Sequence, residues 1–174
     1  MAKFTFENLK FKKVAILKDL KSDYSLGLSE FFSKKFKSLG GEIVAEQTFQ
    51  AGDQDFKAQL TAVKNQNPDA IFVPGYYGQI TLIALQAREL GIKVPLFGGD
   101  GWEAPELVQG PGAAEALEGC FYVADHIALD LGGEVRDQDG RKLNEATKQQ
   151  LRKLLKDAMS MFAHLGITTG SPEA

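Results

Sequence analysis

Few side chains in this sequence could do chemistry, and their spacing argues against most reactions. The two histidines, His126 and His164, stand far apart and near no nucleophile signature, so each reads as a surface residue and no catalytic residue is expected. Asp19, Asp53, Asp55 and Asp100 could be drawn as a metal site or a phospho-acceptor cluster. Carboxylates at strand ends and helix starts are, however, common as caps. A receiver domain would want an acceptor Asp ending its third strand and a Lys ending its fifth. Here the corresponding stretches end in Val73-Pro74-Gly75 and Val123-Ala124. No glycine-rich phosphate loop of either standard spacing follows the first apolar run. Cys120 is the only cysteine, which excludes an intrachain disulfide and a Cys-rich metal cluster. Neither a metal nor a cofactor is expected.

What does cluster is aromatic and acidic, and the clustering depends on the elements that carry it. Val14-Ala15-Ile16-Leu17 is a continuous apolar run of the kind that fills a strand covered on both faces. Leu28, Phe31, Phe32, Phe36 and Leu39 then recur at helical spacing, closed by Gly40-Gly41. A second strand starts at Ile43-Val44-Ala45, and a second helix, marked by Phe56, Leu60 and Val63, stops before Pro68. Ala70-Ile71-Phe72-Val73 makes the third strand, and Ile80, Ile83, Ala84, Ala87 and Leu90 make the third helix, which Gly91 ends. Pro95-Leu96-Phe97 reads as strand four, Ala104 to Val108 as a weak helix, and Gly119 to Ala124 as strand five. Such alternation implies right-handed crossovers and a parallel sheet with helices on both faces. The expected fold is α/β, a doubly wound five-stranded parallel sheet of order 2-1-3-4-5, with strand 1 central.

In an open sheet of this kind, ligands sit beyond the carboxyl ends of the strands, near the point where strand order reverses. Tyr24 follows strand 1, Tyr76 and Tyr77 follow strand 3, and Gly98-Gly99-Asp100-Gly101-Trp102 follows strand 4, which puts all of them on one lip. Glycines admit close backbone approach, a carboxylate holds an ammonium group, and tyrosines offer an apolar face with a hydroxyl. The lip suits a small cationic or zwitterionic amine. The competing reading is structural, with Tyr and Trp merely capping the sheet edge.

Composition narrows the partners. The 174 residues suit a single domain. Hydrophobic residues are 44% and charged residues 25%, near the averages of globular proteins. The net charge of -3, from 20 basic and 23 acidic residues spread along the chain, provides no basic stripe for a phosphate backbone, so nucleic acid is not an expected partner. No run approaches the roughly 18 apolar residues of a membrane span. Met1 to Lys10 lacks the apolar core of a secretory signal, so the chain as written would stay in the cytoplasm.

The motifs in order carry a resemblance. Lys13-Val14-Ala15-Ile16-Leu17, Ser22-Asp23-Tyr24-Ser25, Leu39 to Val44, Gly52-Asp53-Gln54-Asp55-Phe56, Asn67 to Phe72, Pro74-Gly75-Tyr76-Tyr77-Gly78, Gln86 to Gly91 and Gly98 to Trp102 follow one another over residues 3–124. In this sequence and spacing the stretch resembles the second lobe of the leucine/isoleucine/valine-binding proteins, the type I periplasmic solute-binding subunits of amino-acid ABC transporters. The resemblance implies non-catalytic capture of a leucine-, isoleucine- or valine-like amino acid, with Asp100 binding its ammonium and Tyr24 and Tyr76 walling the cleft. Tyr77 and Trp102, on the same lip, are expected as further ligand-binding residues. It further implies a periplasmic location, an ABC permease as partner, and a first lobe that grips the ligand carboxylate and has no counterpart here. The alternative is a free-standing or engineered flavodoxin-like scaffold without a physiological ligand.

Residues 125–174 carry none of these motifs. Leu131 to Arg141 is Gly-rich and charged, reading as a loop or small hairpin, and Asn144 to Leu165 as one long amphipathic helix with Leu151, Leu154, Leu155, Ala158, Phe162 and Leu165 on one stripe. The expected division is a lobe over 1–124 and a tail over 125–174 whose helix packs on the same domain; a homodimer seam is the sharper alternative. Burial of each large stripe residue contributes about 1.5–3 kcal/mol. Deleting residues 142–174 is therefore expected to lower the melting temperature or cause aggregation. A truncated chain of unchanged stability and monomeric state would make the helix an appendage.

Overall fold

A computed structural model describes residues 1–123. A π-helical turn, Phe4–Asn8, leads into β1 (Lys13–Asp19), α1 (Asp23–Ser38), β2 (Glu42–Phe49), α2 (Lys57–Lys64), β3 (Ala70–Phe72), α3 (Tyr77–Glu89) and β4 (Leu96–Gly98). Two 3-10 turns, Asp100–Trp102 and Pro105–Val108, then precede a short α4 (Ala113–Ala116) and β5 (Phe121–Tyr122). The five strands form one sheet of order β2-β1-β3-β4-β5, with every pairing parallel. β1 is flanked on both sides, pairing Val14 with Ile43 and Ala70, while β3 is the middle strand.

The continuous apolar runs sort themselves by alternation. Ala15 and Leu17 of β1, Ile71 of β3 and Leu96 of β4 face one core layer, shared with Leu60 and Val63 of α2 and with Ile80, Ile83 and Ala87 of α3. Val14, Ile16, Ala70, Phe72 and Phe97 face the other, which Phe32 and Phe36 of α1 cover. Val14 to Leu17 have no exposed surface at all, as a strand sandwiched between two helical layers requires.

Helix ends follow side-chain chemistry. The Ser22 hydroxyl caps α1 by accepting from the Ser25 N–H at 3.2 Å. At the other end Gly40 takes φ +95°, and the Gly41 N–H returns to the Phe36 carbonyl at 3.0 Å. Gly91, at φ +72°, ends α3 in the same way.

The structure departs from the sequence expectation in several places, among them that β3 and not strand 1 is central and that strand five begins at Phe121 rather than Gly119. Phe31 is 62% exposed, although it was expected on the α1 stripe. Consecutive helical residues lie about 100° apart, so only one of the Phe31–Phe32 pair can face the sheet. Phe32 takes that place, with its ring 4.4 Å from Phe72 and 5.5 Å from Phe97. β4 begins at Leu96 rather than Pro95 because proline has no N–H for the ladder; its carbonyl still accepts from Ile71 at 3.0 Å. The weak helix over 104–108 is a 3-10 turn, and α4, which has no counterpart in the expected elements, follows a break in which Gly110 and Gly112 both have positive φ. The end of strand five at Ala124, the loop or hairpin at 131–141, the long helix at 144–165 and the division at residue 124 lie outside the described residues.

Phe36 is fully buried and stacks on Phe32 at 5.2 Å. Phe36→Ala is expected to cost about 3–5 kcal/mol. Urea unfolding measures it, and a loss under about 1 kcal/mol would mean that the α1 layer repacks.

Candidate functional site

Three loops leave the carboxyl ends of β1, β3 and β4, and a set of hydrogen bonds ties them together. Tyr24 sits in the first turn of α1, directly after the β1 loop. Its hydroxyl donates to Asp100 Oδ1 at 2.7 Å and accepts from the Gly101 N–H at 3.1 Å, joining the β1 loop to the turn after β4. Its ring stacks on Tyr76 at 5.3 Å between centroids with a 27° interplanar angle, joining the β1 loop to the β3 loop. Tyr76 immediately precedes α3 and is 52% exposed; Asp100 is exposed too.

Beneath this surface the ties continue. Ser25, fully buried, donates its hydroxyl to the Pro74 carbonyl and accepts from the Asp19 N–H at 2.9 Å. Trp102 is 1% exposed, and its indole N–H donates to the Val73 carbonyl at 2.9 Å. Gly101 has no room for a side chain: a Cβ there would stand 2.6 Å from the Gly75 carbonyl oxygen. At Gly99 a Cβ would meet the Tyr24 hydroxyl at 2.5 Å. Glycine is required at 101, where the obstacle is backbone, while a side chain at 99 would displace the Tyr24 hydroxyl.

Of the five residues singled out in the sequence, Tyr24, Tyr76 and Asp100 form one contiguous surface. Tyr77 is exposed at the start of α3. Trp102 shares the turn but lies under it, so it presents almost no surface to a ligand. Ser25 is the residue that spacing arguments overlooked. A serine at the third helical position after a serine cap reads as ordinary capping, and only the fold reveals its bond to Pro74.

Burial raises the Tyr24 phenol pKa above its ordinary value, and the hydrogen bond to Asp100 raises it further. The phenol therefore remains a neutral donor throughout the physiological range. Among the described residues no three His, Cys, Asp or Glu side chains stand together as metal ligands, and no helix is long and apolar enough to cross a membrane.

The sequence model of the family described as "Periplasmic binding protein" matches residues 1–169. The chain belongs to that family. The match takes in residues 125–169, where no family motif is legible, so membership covers more of the chain than the motifs do. A Leu/Ile/Val-binding protein of Rhizobium johnstonii is 34% identical over 106 residues, 61% of this chain and 29% of that protein. A crystal structure of a leucine-binding protein from Thermotoga maritima matches with a TM-score of 0.61 and 49% identity, over 62% of this chain and 31% of that one. A branched-chain amino acid transporter substrate-binding protein from Streptococcus pneumoniae, in complex with isoleucine, matches with a TM-score of 0.59 and 46% identity, over 62% and 30%. The chain thus spans about a third or less of the length of these periplasmic binding proteins.

Tyr24→Phe removes one bond to the Asp100 carboxylate and one from the Gly101 amide at a half-buried position, an expected loss of about 0.5–1.5 kcal/mol. A phenol whose pKa is raised by folding contributes stability that is complete below the unfolded value, about pH 10, and is lost as pH rises toward the folded value. Wild-type stability is therefore expected to fall above about pH 10, and to fall less steeply in Tyr24→Phe. Tyr122, raised by burial and then by Glu103, leaves a residual slope in both. Identical slopes in denaturation curves taken at pH 9 to 11 would show that Tyr24 titrates normally.

Proposed function

We propose that this chain is an amino-acid-binding lobe of an ABC-transporter substrate-binding protein, capturing a branched-chain amino acid without catalysis. The observation that carries the reading is the Tyr24–Asp100–Tyr76 surface, at the strand ends where an open α/β sheet binds ligands. Asp100 accepts the ligand ammonium while the Tyr24 bond to Oδ1 holds its carboxylate still. Tyr76, half exposed and stacked on Tyr24, supplies an apolar wall. Support comes from two relatives, one named as a leucine-binding protein and one crystallised with isoleucine.

The ligand carboxylate has no recognisable partner on this lip. A first lobe would hold it and close over the ligand, and the periplasm and a membrane permease are the matching location and partner. By itself the lip offers one exposed ion pair, which typically contributes no more than about 1 kcal/mol, plus the faces of two tyrosines. Leucine, isoleucine or valine is therefore expected to bind this chain no tighter than about millimolar, near -4 kcal/mol. An NMR titration with isoleucine checks this, with the Asp100 and Gly101 amides responding in wild type and not in Asp100→Ala. Micromolar binding that survives Asp100→Ala would place the site elsewhere.

A further inference from the structure

The turn that carries Asp100 is a single 3-10 turn, Asp100–Trp102, and its last residue is the largest fully buried side chain among the described residues. So short a turn has no ladder of its own to hold it. Tyr24 holds it from one side, and the indole ties it to the core from below. Trp102 packs into the core layer with Ile80, Ile83 and Leu107, and its Nε1–H reaches across to the Val73 carbonyl at 2.9 Å. Val73 lies three residues before Tyr76 and continues the β3–β4 pairing, its N–H donating to the Phe97 carbonyl at 2.8 Å. The backbone under the indole is fitted to it: a Cβ on Gly98 would collide with the Trp102 ring, Nε1 included.

We propose that Trp102 is a positioning residue: through its bond to Val73 it clamps the β4 turn to the β3 exit, fixing Asp100 against Tyr24 and setting its distance from Tyr76. This rests on the reading of Asp100 and Tyr76 as ligand contacts, and it gives Trp102 a supporting role in place of the ligand contact expected from sequence. A tryptophan is needed because only an indole combines the bulk that fills this place with a donor reaching a strand-end carbonyl; phenylalanine keeps most of the bulk and loses the donor.

The test uses the full chain with Tyr24 followed through its ring-carbon NMR signal during a pH titration. The charged or titratable side chains facing that phenol are Asp100 and Tyr76. Trp102→Phe should loosen the Asp100–Tyr24 bond and lower the pH at which Tyr24 ionises, because that bond is one of the causes that raise it. It should also weaken isoleucine binding up to about tenfold, the worth of one hydrogen bond. Phe36→Leu, in the opposite core layer, serves as the control for general loosening and should leave the midpoint in place. An unchanged midpoint in Trp102→Phe, or an equal shift in Phe36→Leu, overturns the proposal. If Trp102→Phe does not fold, Gly98→Ala, which displaces the indole from the other side, is judged by the same criteria. Wild type that fails to respond to isoleucine would count against the ligand reading alone, because the Tyr24 midpoint needs no ligand.

Discussion

The Tyr24 hydroxyl is the point at which the lip of this protein is tied. Loops at the end of a parallel sheet leave the ladder that orders the strands, so their relative placement must come from side chains or from close backbone packing. Tyr24 serves two partners with one oxygen, donating a hydrogen bond to Asp100 and accepting one from the Gly101 N–H. Its ring meets Tyr76 at the same time, so a single side chain touches the loops that follow β3 and β4. The buried bonds of Ser25 to Pro74 and Trp102 to Val73 run parallel to these contacts from below. Three loops joined pairwise, each pair by at least one contact, cannot shift independently, and this is what a preorganised site requires.

The sheet places the anchors of those ties. β1 and β3 are adjacent although a strand and two helices separate them in sequence, and this adjacency brings Tyr24 within stacking distance of Tyr76. Neighbouring β4 brings Asp100 to the same edge. The alternation of Val14 to Leu17 between the two core layers fixes the register, because a slip by one residue would exchange those layers and set Phe32 against the wrong side chains. Geometry at the lip is thus secured by packing deep in the sheet.

Much of this was legible in the sequence, and the reason is physical. Parallel pairing followed from alternation and from the uninterrupted apolar runs at Val14–Leu17 and Ala70–Val73, which suit strands buried on both faces, and strand order from the arrangement common in such sheets. The lip followed from the rule that loops after strands 1, 3 and 4 converge. Burial of individual residues within those loops did not follow. Trp102 and Tyr76 look alike as aromatic residues near glycines, yet one is 1% and the other 52% exposed. That difference depends on the course of a three-residue turn, which periodicity does not encode. Phe31 and Phe32 were indistinguishable for a related reason, since a helical stripe read from spacing admits neighbours that the sheet has room for only once. Ser25 was hidden because its two roles, helix start and loop tie, use a residue type common at helix starts for the first role alone.

The same geometry bears on why a surface of this kind works better as half of a cleft than alone. A carboxylate in water interacts with an ammonium at about 4 Å by roughly 1 kcal/mol, and the same pair with solvent partly excluded by several times that. Asp100 is exposed, so its attraction for an ammonium group would be of the first kind. Its partner Tyr24 is different, being half-buried with a phenol that burial keeps protonated, so the orientation of the carboxylate is fixed before any ligand arrives. The lip therefore arrives with its ordering cost already met but with its electrostatics still diluted by water. A second surface closing over Tyr76 and Asp100 would change the second quantity without altering the first. Affinity in such an arrangement depends on closure, and specificity on the rigid lip.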